Sequence, residues 1–272
     1  MRSRLLALAG AGALMLAATA TVATPAHAAS DAKLSVLHAV PGLTVDVYVD
    51  GKRTLDNFKP GTLAGPLNLP AGTYEVAITA GDAKDDSDPA IGPIDLELAA
   101  GQNYTAVAHL EEGGDPTATL FKNDITKTAA GEGRLTVRHT AAAPAVDVLA
   151  GGDAVVSDLS NPNEEVLDLN AGTVSASVAA AGTTKPVIGP ADVTVAEGKN
   201  TIVYAWGSLE DDNLKLAVQT ISGLHSNPAG VHAGQAGLAA DQSPAPLAVV
   251  GLAMVAAAVL LRRRLSAVRV RR

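Results

Sequence analysis

Leu34-Ser35-Val36-Leu37-His38 and, 101 residues later, Leu135-Thr136-Val137-Arg138-His139 follow one pattern, and Val45-Asp46-Val47 returns as Val146-Asp147-Val148 at the same displacement. Leu69-Pro70-Ala71-Gly72-Thr73 matches Leu169-Asn170-Ala171-Gly172-Thr173 at a shift of 100, and Ile91-Gly92-Pro93 matches Ile188-Gly189-Pro190 at 97, as does Gly101-x-Asn103 with Gly198-x-Asn200. The order is kept while the shift drifts, as in duplicated domains that gain and lose loop residues. Two domains are therefore expected, residues 33–124 and 133–222.

Within each unit apolar residues recur at every second position. Val45, Val47 and Val49 alternate with Asp46, Tyr48 and Asp50, and Ile94, Leu96 and Leu98 alternate with Asp95 and Glu97. That period belongs to half-buried strands. Asp50-Gly51 suits a type I′ hairpin, and Pro70-Ala71-Gly72, Gly151-Gly152 and Glu197-Gly198-Lys199 mark further turns. Seven or eight short strands without an amphipathic helix between them predict an all-β fold: two tandem immunoglobulin-like antiparallel β-sandwiches. The junction Lys127–Gly133 is short, so the sandwiches are expected end to end, like beads.

The flanks read differently. Arg2 and Arg4 precede an apolar run from Leu5 to Ala18, and Ala26-His27-Ala28 is a small-x-small exit, so residues 1–28 are expected to be a signal peptide. Residues 223–246 shift to Gly, Ala, Ser, Pro and His, a flexible stalk with a root-mean-square reach of about 28 Å. An apolar run from Leu247 to Leu261 precedes Arg262, Arg263 and Arg264. Its fifteen residues give about 22 Å against a hydrocarbon core of roughly 30 Å. The arginines must therefore snorkel if 247–264 is a transmembrane anchor. The basic residues flank it on one side, placing 265–272 in the cytoplasm and everything earlier outside. No Leu-Pro-x-Thr-Gly precedes the run, so retention in the membrane is expected rather than sortase transfer.

The chain has 272 residues, 47% of them apolar, enough to build cores, so general disorder is excluded. Zero cysteines exclude a disulfide scaffold, thiolate catalysis and cysteine-held metals. Between the signal and the anchor stand 12 Lys and Arg against 28 Asp and Glu, a net charge of −16. Such a surface repels phosphate backbones, so no nucleic-acid partner is expected.

Val36-Leu37-His38-Ala39-Val40-Pro41 through Val45-Asp46-Val47-Tyr48-Val49-Asp50-Gly51, with Leu69-Pro70-Ala71-Gly72-Thr73-Tyr74, resembles the bacterial domain-of-unknown-function family numbered 4397. The second copy keeps His139, Pro144, Val146-Asp147-Val148 and Ala171-Gly172-Thr173, with Leu149-Ala150-Gly151 replacing the Tyr and Asp-Gly. The resemblance spans about residues 33–222 as two tandem copies. It implies an exported envelope β-domain and supplies no catalytic residues.

The candidate sites follow from residue chemistry. His38 with Asp46 and His139 with Asp147 repeat a His-x7-Asp spacing suited to a general-base dyad, but strand phase sends the two side chains to opposite faces. The histidines are instead expected at the core rim, satisfied by backbone. Asp82, Asp85, Asp86 and Asp88 are weak candidates for Ca²⁺, which takes six to eight oxygens; a solvated loop is the plainer reading, and no metal or other cofactor is expected. Glu111-Glu112, Asp115 and Glu210-Asp211-Asp212 read as charged hairpin tips that discourage edge pairing. Tyr204 and Trp206 share a strand face and are expected in the core, not on a glycan-stacking platform. Neither G-x-S-x-G, G-x-x-x-x-G-K-[ST], G-x-G-x-x-G nor H-E-x-x-H occurs.

The expected function is a non-catalytic cell-envelope surface protein, a binding, adhesion or spacer module for an envelope or extracellular ligand. Alternatives are an extracellular hydrolase or metal-dependent enzyme using His38 or His139, and a calcium-stiffened spacer.

Overall fold

The computed structural model describes residues 30–226, and every named element in that range is a strand. The first copy comprises β1 (Ala32–His38), β2 (Val45–Val49), β3 (Lys52–Phe58), β4 (Leu63–Leu69), β5 (Gly72–Ala80), β6 (Ile91–Leu98), β7 (Asn103–Leu110) and β8 (Pro116–Lys122). The second repeats them as β9 (Glu132–Ala142), β10 (Val146–Ala150), β11 (Asp153–Leu159), β12 (Glu164–Asn170), β13 (Gly172–Ala180), β14 (Pro186–Val195), β15 (Lys199–Ser208) and β16 (Lys215–Ser222). The segments expected to be a signal peptide (1–28), most of the expected stalk (223–246), the expected anchor (247–264) and the expected tail (265–272) lie outside the described residues, among which no helix is long and apolar enough to cross a membrane.

Each copy is a sandwich of two four-stranded sheets. In the first, β3-β2-β5-β6 and β4-β1-β7-β8 close on Leu34, Val45, Val47, Ile78, Leu96 and Ala106. In the second, β11-β10-β13-β14 and β12-β9-β15-β16 close on Leu135, Val148, Val178, Val193 and Val203. The expected tight turn between β2 and β3 forms, with Asp50 at φ 50° and Gly51 at φ 71°, as a type I′ turn requires.

The sheets are not wholly antiparallel. β1 runs parallel to β7, and β9 parallel to β15. Alternation of side chains is the same in either direction, so periodicity could not show this. The reason lies in the path: between β1 and β7 the chain crosses to the opposite sheet for β2 and β3, returns for β4, and crosses again for β5 and β6. That long route takes the place of the helical crossover that parallel neighbours usually need.

The repeated Ile-Gly-Pro has a backbone cause. Gly92 and Gly189 sit at φ 93° and 86°, and a Cβ on them would lie 2.6 Å from the Val76 carbonyl oxygen and 2.8 Å from that of Ala176. Gly92→Ala is expected to cost about 2 kcal/mol, since both the backbone conformation and the paired strand oppose a side chain. A lower urea midpoint at unchanged slope checks it.

The beads arrangement is overturned. The sheet β4-β1-β7-β8 packs its outer face on the outer face of β12-β9-β15-β16, joining Leu37, Ala39, Val107 and Phe121 to Ile202, Tyr204 and Trp206 in a third buried cluster. Every residue of β7 is therefore buried, and every residue of β15 except Lys199, which is partly so. Polar groups fill the rest of the interface. Arg138, with no exposed surface, donates to Glu164 (2.7 Å), to the Tyr204 hydroxyl (2.8 Å) and to Asn123 Oδ1 (2.8 Å), and its guanidinium lies 4.3 Å from the Phe121 ring centre. Thr105 and Tyr204 both donate to Gln219 Oε1, at 3.0 and 2.6 Å, and Asn161 Nδ2 reaches the carbonyls of Leu110 and Ala141.

The junction is held as well. Arg134 grips Asp168 through two parallel bonds of 2.8 and 2.9 Å, and also meets Asp124 and the Thr126 carbonyl. Leu224, at the start of the expected stalk, is buried; its amide donates to the Gly198 carbonyl and its own carbonyl accepts from Thr128. Residues 224 and 225 thus bond into the second sandwich.

Candidate functional site

The repeated histidines close the loops that follow β1 and β9. His38 Nε2 donates to the Leu43 carbonyl (2.7 Å) while Nδ1 accepts the Val40 amide (3.4 Å). His139 does the same with Pro144 (3.0 Å) and the Ala141 amide (3.3 Å). Both rings are thereby held neutral with the proton on Nε2, because a proton on Nδ1 would face an amide N–H.

The aspartates serve a different turn. Asp46, fully buried, accepts the Asn57 amide (2.7 Å) on Oδ1 and Arg53 (2.9 Å) on Oδ2. Asp147 accepts the Asp158 amide (3.0 Å) and the Gly182 amide (2.8 Å). Asn57 and Asp158 both have left-handed backbone, at φ 52° and 57°. Each signature aspartate therefore holds the strained residue eleven positions on, and each histidine holds its own loop; the hydrogen bonds that bind them do not join one to the other. Tyr48 is buried on the same strand face as Asp46, beside Arg53.

Burial pulls the imidazoles of His38, His109 and His139 below the usual histidine range, against weaker opposing pulls from the carbonyls of Leu43, Leu110 and Pro144. As pH falls through about 6.5, the unfolded chain takes up protons that the native state refuses, so stability is lost toward acid and is full above that value. The urea midpoint is expected to fall between pH 7.5 and 5.5, and less steeply when His139 is replaced by Gln.

The acidic features lie at the surface. Asp85 accepts the Ser87 amide and hydroxyl, which hold its carboxyl below the ordinary range, while Asp82 and Asp88 are exposed and Asp86 is half-buried. Among the described residues no three His, Asp or Glu side chains converge as metal ligands. The two acidic hairpin tips come together: Glu112 from the β7–β8 turn and Glu210 and Asp211 from the β15–β16 turn flank a cleft of about 350 Å³ with Ala142, Ala143 and Pro144. Only the docking of the two copies brings them to one place, so the sequence carried no sign of it.

Tyr204 and Trp206 face the first copy's sheet and present no stacking platform. Burial raises the Tyr204 hydroxyl above the usual phenol range, with the nearby Arg138 pulling the other way, so it stays a donor to Gln219.

The first sandwich encloses an apolar hollow of about 90 Å³, bounded by Val47, Ile78, Leu96, Ala106, Ala108 and Ala118 among others. At about 24 cal/mol per Å³ such a space costs about 2 kcal/mol of stability. The corresponding space in the second sandwich is about 30 Å³.

A family model described as domain of unknown function (DUF4397) matches residues 32–149 and again 140–233, two tandem copies. A search of curated proteins finds no match.

Proposed function

The chain belongs to the DUF4397 family, and from that premise we propose that it is a non-catalytic module of the cell envelope, exported, displayed outside and held in the membrane by residues 247–264. Its sandwiches are immunoglobulin-like in kind, and its role is to present a stiff double domain to an envelope or extracellular partner. The observation that carries this reading is where the polar signature residues spend their hydrogen bonds. His38, His139, Asp46 and Asp147 are all engaged in closing turns, so the residues most suited to acid–base chemistry serve the fold. Outward, the chain offers carboxylates: the loop of Asp82, Asp85 and Asp88, and the cleft of Glu112, Glu210 and Asp211. Such a surface favours a basic or cation-bearing partner.

Protease treatment of intact cells is the direct test. A tagged chain is expected to sediment with membranes and to be cut by added protease without lysis. Recovery in the soluble cytoplasmic fraction would overturn the display, and a hydrolytic turnover abolished by His38→Gln would overturn the absence of catalysis.

A further inference from the structure

We propose that the interior of the first sandwich is a binding site for the end of a short aliphatic molecule, admitted between the edge strands β3 and β4. The proposal is independent of where the chain is displayed. Three observations converge on it.

The first is that the fold does not require the hollow. Ala108 pairs with Ala118 across β7 and β8, and the equivalent pair across β15 and β16 is Ala205 with Leu216. Likewise Ala106 occupies the place of Val203, since Ala106 pairs with Leu120 and Val203 with Val218. The second copy thus puts a leucine and a valine where the first has two alanines, and its space shrinks from about 90 to about 30 Å³. A sandwich of this topology can fill itself, and the first one leaves room.

The second is the lining. It is formed by aliphatic side chains from all eight strands, with Thr54 as the one hydroxyl, and that hydroxyl donates to the Lys52 carbonyl. Nothing there can satisfy water, which needs two to four polar partners, so the natural occupant is hydrocarbon.

The third is access. β3 and β4 are edge strands of different sheets, and the wall of the hollow reaches solvent at Thr54 and at Leu67, which is 36% exposed. A polar head group would stay in water at that rim while the chain end entered. Benzene occupies an engineered cavity of about 150 Å³, so roughly three or four carbons fit here.

The test uses the full-length chain, methyl-labelled at alanine, titrated with linear alcohols from ethanol to octanol and followed by NMR. Saturable shifts are expected at the Ala106, Ala108 and Ala118 methyls, with affinity rising about fourfold per added methylene until the hollow is full and then levelling. Ala118→Leu is expected to weaken binding at least tenfold. Leu216→Ala, the reverse exchange, is expected to create a new site reported by Ala205. Shifts that do not saturate, that ignore chain length, or that persist in a folded Ala118→Leu chain overturn the proposal. Should that variant fail to fold, the natural chain and Leu216→Ala decide it: binding in the first sandwich and gain in the second support it, and absence of either overturns it.

Discussion

An Arg138→Ala chain is expected to melt in two steps where the natural chain melts in one. Arg138 is the charged centre of the contact between the sandwiches, bound at once to Glu164, Tyr204 and Asn123 and packed on Phe121. Asn123 and Phe121 belong to the first copy, the others to the second. Removing the guanidinium takes one donor from the buried Tyr204 hydroxyl, which keeps its bond to Gln219, takes the short donor from the Asn123 amide oxygen, and leaves Glu164 without its cation. Breaking a buried pair costs about 3 to 5 kcal/mol. Glu164 keeps 30% of its side-chain exposure and can rehydrate, which puts the expected loss near the lower end, about 3 kcal/mol. The contacts to Asn123 and Phe121 cross between the copies, so their loss falls on the coupling between the two cores, while the loss at Glu164 weakens the second copy, and each core keeps its own apolar cluster. Calorimetry of the natural chain should give one transition with equal calorimetric and van't Hoff enthalpies, and the variant two overlapping ones. One unshifted transition in Arg138→Ala would show that the cores are coupled elsewhere.

The duplicated strand pattern was legible because a buried face imposes period two on any sandwich strand, whatever its neighbours. The docking of the copies was not, because its face carries Ser35, Thr105, Asn123, Thr136 and Arg138, residues that on a single sheet mark the solvated side. They are buried together and satisfy one another, Arg138 with Asn123, Thr105 with Gln219 and Thr136 with Asn200. Partners so far apart in the chain leave no local spacing to read. The His-x7-Asp repeat had the opposite fate: its recurrence was visible, and strand phase set the two side chains apart, but the loop each one closes depends on backbone groups that side-chain patterns do not encode. The hollow was invisible for a third reason, since Ala106 and Ala118 count as apolar in any pattern and only volume separates them from Val203 and Leu216.

Replacing the two signature aspartates separates their roles most sharply. Asp46→Ala and Asp147→Ala are each expected to cost about 3 kcal/mol, because each removes a bond to an ionised, buried acceptor and takes from a left-handed residue, Asn57 or Asp158, the partner that holds its amide. The asparagine variants should then diverge. In Asp46→Asn the new side chain would keep one carbonyl oxygen for the Asn57 amide and lose only the ion pair with Arg53, whose side chain is 47% exposed and turns to water at little cost. The expected loss for Asp46→Asn is about 1 kcal/mol or less. Asp147 has no such spare oxygen: one takes the Asp158 amide, the other the Gly182 amide, so Asp147→Asn sets an NH₂ against a backbone N–H and should cost about 2 kcal/mol. The discriminating quantity is the order of urea midpoints, with Asp46→Asn nearest the natural chain, Asp147→Asn well below it, and both alanine variants lowest. Equal damage from the two asparagine variants would mean that Arg53, not the Asn57 amide, is the partner that matters to Asp46.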